Sequence, residues 1–146
     1  MNAKPLAIVV LRAGVWFLTV ATLAVGVVAT LAPRAFYDRA PWVSLAPPYS
    51  EHLMRDFGAM NLALALVMVV AAITMDRLMV RTSLTAYEAF AVPHLLFHVT
   101  HHQNYTTAQA VGETTALVVA ALVPLGLLLL TRRNSFPAEL CRWGQL

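Results

Sequence analysis

The chain has 146 residues, is 60% apolar and only 12% charged, and has a mean hydropathy of +0.70, which places it outside the range of soluble globular domains and in a membrane. Its formal charge of +3 comes mostly from arginines at the ends of apolar runs, a pattern of membrane anchoring and not of nucleic-acid binding. Cys141 is the only cysteine, which excludes an internal disulfide and a cysteine-built metal site within one chain.

The first apolar run predicts a helix from Ile8 to Leu31, long enough to span the hydrocarbon core. It exceeds the apolar centre of a signal peptide and continues into Pro33 and Arg34 without a small-residue cleavage signal, so a retained span is expected. The stretch that follows, "PRAFYDRAPWVSLAPPYSEH", carries prolines at 33, 41, 47 and 48, which exclude a long regular helix. Phe36, Tyr37, Trp42 and Tyr49 suit the headgroup zone, and an ordered loop along the outer surface is expected.

A second span is predicted from Leu53 to Met75, with Ser50 as its N-cap. His52 and Asp56, and likewise Glu51 and Arg55, are four apart and stack on the helix surface. The small residues of "GAMNLALAL", 58 to 66, allow close helix packing where lipid supplies no hydrophobic drive.

The third span is predicted from Leu84 to Thr100 and holds four of the five histidines, His94, His98, His101 and His102. Spacings of three and four put them on one broad face, and Pro93 loosens the backbone bonding just before them. Glu88, near the other end of this span, has Arg12 or Arg81 as candidate partners. The fourth span, Ala108 to Thr131, carries Glu113 about one turn in.

Lys4, Arg12, Arg77, Arg81, Arg132, Arg133 and Arg142 share one side of this arrangement, against Arg34, Arg39 and Arg55 on the other. The positive-inside rule puts both termini in the cytoplasm. The expected fold is all-α: a single domain over 1–146, a four-transmembrane-helix antiparallel bundle with short connections. No internal repeat or second domain is visible.

With that topology the outer ends of three helices bring His52, Asp56, His94, His98, His102 and Glu113 to one leaflet. Nitrogen and carboxylate donors at i and i+4 on facing helices are how bundles assemble metal sites. Zinc, iron or copper fits such a set, and haem held by two histidines ranks below a bare metal for want of any haem signal. Proton exchange is the companion reading, since intramembrane ionisable groups are functional by default. No metalloprotease, nucleophile-elbow or phosphate-loop motif is present, so enzymatic activity stays open. Two other readings are a quinone- or lipid-binding protein, with the polar cluster on the headgroup and the bundle on the tail, and a purely structural subunit. A bundle of this size has little interior to spare, which favours other membrane subunits or a homo-oligomer as partners beside membrane lipid.

The "PRAFYDRAP" stretch after the first span and "EHLMRDFGAMNLALAL" opening the second resemble the DoxX-like and neighbouring uncharacterised four-helix membrane proteins of bacteria, over most of the chain. The resemblance implies a bacterial inner (plasma) membrane location and an accessory role in a larger, redox-associated membrane complex, some relatives being tied to quinone-linked chemistry. It transfers no catalytic residue.

Overall fold

In the computed structural model the described residues are 3–45 and 48–132, with side chains from residue 6 onward. Pro47, Arg133, Cys141, Arg142 and the Lys4 side chain lie outside them. The elements in chain order are α1 (Ala3–Leu31), the short α2 (Pro33–Arg39), a 3-10 turn (Val43–Leu45), α3 (Glu51–Thr74), α4 (Arg77–Val99) and α5 (Thr107–Arg132). Among the described residues there is no strand.

Three of these helices, α1 from Leu6, α3 and α5, are long and apolar enough to cross a membrane. The expected count was four, so length and apolarity alone account for three of those spans. The third expected span lies on α4, which has 23 residues but begins at Arg77 instead of Leu84 and so adds Arg77 and Arg81 to the Glu88, His94 and His98 already within it. The added polarity has a local cause. Asp76 caps α4, its Oδ1 accepting the Met79 N–H at 2.9 Å, and Met75 closes α3 in the left-handed region at φ 50°. Two residues therefore make the whole turn between α3 and α4.

The other starts follow known end chemistry. Ser50 caps α3 as expected, its Oγ accepting the Leu53 N–H at 3.3 Å. Pro33 stands at the first turn of α2, where its missing N–H costs nothing and its fixed φ is already helical; the prolines thus shorten this helix to two turns and do not abolish it. Arg55 pairs with Glu51 at 2.8 Å and also donates to the Thr30 carbonyl at 2.6 Å, satisfying an orphan acceptor at the end of α1.

Packing joins α1 chiefly to α3, α4 to α5, and α3 to α4, with a lesser contact of α1 on α5. The seam between α1 and α3 is close because Gly58 faces the α1 backbone: a Cβ there would fall 2.6 Å from the Thr30 nitrogen. At the end bearing the α3–α4 turn, here called proximal, Leu11, Val15, Leu18, Met68, Ala71, Ala72, Val80, Leu84 and Leu127 form a closed core. Buried hydroxyls bond to their own helix, Thr19 to the Val15 carbonyl at 2.7 Å and Ser83 to Val80 at 3.0 Å, the local solution open to them in apolar surroundings. Large apolar side chains such as Phe17, Leu31, Leu66, Ile73 and Leu122 face outward, as membrane-facing surfaces require.

Candidate functional site

The opposite, distal end is built differently. Residues 36–43 and Pro48 lie with α3, α4 and α5 around a cavity of about 440 Å³. Its walls are apolar and in part aromatic, with Phe36, Trp42, Phe57, Phe97 and Leu117 among them, and its polar groups include His94, His98 and Glu113.

Glu113 is the centre of the polar side. Its side chain is only 6% exposed, and Oε1 lies 2.9 Å from His98 Nδ1. Tyr105 donates its hydroxyl to the same oxygen at 2.9 Å. Oε2 lies 3.4 Å from His102 Nε2, yet these two buried atoms have no hydrogen-bond partner. Exposure rises from Glu113 through His98 at 14% to His102 at 24%, so the trio runs from interior toward the distal surface. The His94 ring abuts that of His98 edge-on at 4.5 Å and stacks on Phe90 at 5.0 Å. Burial, then the bond to Glu113 and the charge of that carboxylate, pushes the Tyr105 phenol up to about 12.

The geometry decides the roles of the nitrogens. With Nδ1–H given to a carboxylate, a neutral His98 ring keeps Nε2 as an acceptor, and the carboxylate fixes the tautomer and the ring's orientation. A buried carboxylate–imidazole pair is thus a base set beside an apolar cavity.

His52 and Asp56 do not join this group. They pair with each other at 3.1 Å on the outside of α3, 86% and 63% exposed. His101 is also apart, with Nδ1 held by the Phe97 carbonyl at 2.7 Å and Thr100 Oγ1 at 2.9 Å at the end of α4. Glu88 pairs with neither Arg12 nor Arg81. Its Oε1 is buried without a hydrogen-bond partner; Arg81, seven residues back, is about 10 Å away along the helix axis.

Of the six residues expected to gather, the fold therefore brings together His94, His98, His102 and Glu113. Among the described residues no group of three or more His, Cys, Asp or Glu is spaced to hold a metal ion. The physical reason is that His98 approaches Glu113 at hydrogen-bond distance, where nitrogen and oxygen share a proton, and that the His52–Asp56 pair faces away. Sequence reading missed Tyr105 and the cavity's aromatic wall. Phe36, Tyr37 and Trp42, expected in the headgroup zone, line the cavity, while Tyr49 packs on Tyr37 and under Arg34. Comparison with protein families, curated proteins and solved structures finds no match to this chain.

Proposed function

We propose that the chain crosses the membrane four times and binds, in its outer half, an apolar small molecule with an oxygen-bearing aromatic head, the chemistry of a quinone or its quinol. The observation that carries this reading is the cavity of about 440 Å³, within the size range of small-molecule sites. Its aromatic walls suit a planar ring, and one side holds the His98–Glu113 pair at 2.9 Å. A quinol hydroxyl would donate to His98 Nε2. If its proton passes to that nitrogen, the imidazolium formed lies between the Glu113 carboxylate and the quinolate oxygen left behind, so each charge has a neighbour of opposite sign in an apolar setting.

The fourth crossing is α4. Its 23 residues match the hydrocarbon thickness, and it packs between α3 and α5. Glu88, His94 and His98 are at least partly withdrawn from its surface, while Arg77 and Arg81 sit at one end, where long side chains reach the headgroups. The arginine distribution supports cytoplasmic termini, which makes the distal end the outer one. The resemblance to DoxX-like bacterial proteins supports a plasma-membrane location and a place beside a larger redox assembly.

Titration of nanodisc-embedded protein with a short-chain naphthoquinone, followed by tryptophan quenching, tests the reading. Saturable binding of one molecule per chain, weakened in His98→Gln and Glu113→Gln and unchanged in His52→Gln, supports it. Near-stoichiometric zinc, iron or copper by elemental analysis, with no saturable quinone binding, would overturn it in favour of a metal centre.

A further inference from the structure

The cavity is covered at its distal end by residues 40–45, and this cover is held in an unusual way. Trp42 sits at φ 64°, a region bulky residues rarely occupy and that persists only where surrounding contacts over-determine it. Its carbonyl accepts the Leu45 N–H at 2.9 Å, and the Tyr105 hydroxyl lies 3.3 Å from the same oxygen. Asn104 donates to the Leu45 carbonyl, also at 3.3 Å. The indole rests over Gly112, where a Cβ would come 3.1 Å from Trp42 Cζ2, so only glycine leaves the ring its full seat. Trp42, Pro41 and Val43 all line the cavity.

We infer that residues 40–45 are a gate, latched by Tyr105 and Asn104, through which the ligand enters and leaves at the distal end. The inference rests on the binding reading above. Tyr105 has one proton for two acceptors, the Trp42 carbonyl on the gate and Glu113 Oε1 in the cavity, with the shorter bond going to Glu113 at 2.9 Å. The bonds from Tyr105 and Asn104 to the gate are therefore long ones, strong enough to bias it shut and weak enough to release it. Strain at Trp42 works in the same direction, since opening relieves a backbone conformation that only the closed contacts enforce. Tyr105 acts as a positioning residue, joining the ligand-facing carboxylate to the cover.

Stopped-flow quenching of Trp42 by a short-chain naphthoquinone, in a Trp16→Phe, Trp143→Phe background, reads the gate directly. Tyr105→Phe combined with Asn104→Leu should raise the entry and exit rates together, each by roughly two- to tenfold for loss of a net hydrogen bond, with Kd nearly unchanged. His98→Gln should raise the exit rate alone. In a Cys141→Ser background, a disulfide between Leu45→Cys and Asn104→Cys should slow both rates when oxidised and restore them on reduction. Saturable binding whose rates ignore both the latch variants and the cross-link would overturn the gate while leaving the site intact. Absence of saturable binding to the native protein would instead remove the binding reading, and the gate with it.

Discussion

At the proximal end of the bundle Leu11, Val15, Met68, Val80, Leu84 and Leu127 close the interior, and Gly14 lets Leu127 lie against α1, where a Cβ would fall 2.7 Å from Leu127 Cδ2. At the distal end the long helices do not close, and the space between them is walled by aromatic rings and three ionisable side chains under a proline-bearing segment. One end invests its residues in contact and the other in a cavity. Membrane helices associate through packing and interhelical hydrogen bonds because lipid is as apolar as leucine. A tight end is therefore what allows the other end to hold a space and a buried carboxylate.

The contrast is broken most severely along the α1–α3 seam, which runs up toward the distal end. Gly58→Leu places side-chain atoms against the Thr30 and Ala29 backbone, which cannot yield without moving α1. Overpacking of this kind costs about 1–3 kcal/mol or more, and loss of the folded, monodisperse protein in detergent is the expected result on size exclusion. Met68→Ala, in the closed core, should lower stability by about 2 kcal/mol, the low end for such truncations, and leave quinone affinity unchanged; thermal unfolding and titration on the same sample check this.

The distal end should respond the other way round. His98→Gln removes the bond to Glu113 and should weaken ligand binding roughly ten- to a hundredfold, the effect of a hydrogen bond to a charged group, with a smaller change in stability than Met68→Ala. His52→Gln should change neither quantity, because that pair is exposed and surface pairs contribute little.

The smallest expected effect is spectroscopic. Subtracting the ultraviolet pH titration of Tyr105→Phe from that of the native protein should isolate one phenol ionising near 12 instead of at the usual 10.0. A folded-state value raised in this way means that the stability tied to keeping this phenol neutral, through its burial and then its bond to Glu113, is complete below pH 10 and is lost as pH rises toward 12. A difference spectrum centred near 10 would show that the phenol is neither buried nor held by Glu113.

Much of this was legible in the sequence, and the failures have definite causes. Burial on α4 recurs at Val80, Leu84 and Ala91. At about 100° per residue the seven positions from Ala91 bring His98 back to within about 20° of that line, so its inward direction followed from periodicity. The same arithmetic would have removed His52 from the site. Nine residues separate it from buried Asn61 on α3, which is half a turn around the helix. Sharing a membrane level fixes depth and says nothing about azimuth, and although spacing put residues on one face within each helix, the six-residue cluster joined the three helices by depth alone.

The start of α4 was misplaced because hydropathy begins at Leu84 whereas the helix is set by the Asp76 cap eight residues earlier. Tyr105 and Trp42 carried no readable signal. They meet only because the fold brings together segments 63 residues apart, a contact that depends on how the loops close over the bundle and not on any local pattern.

The central claim, that the distal cavity holds an aromatic-headed apolar ligand against His98 and Glu113, is tested most directly by photolabelling. An azido-naphthoquinone cross-linked in nanodiscs and mapped by mass spectrometry should label peptides containing Phe57, Phe97–His98 and Ala116–Leu117, with excess unlabelled quinone suppressing the reaction. Labelling confined to the outward faces of α1 and α3, around Phe17 and Leu66, and unaffected by competitor, would contradict the claim and mark the cavity as empty of this chemistry.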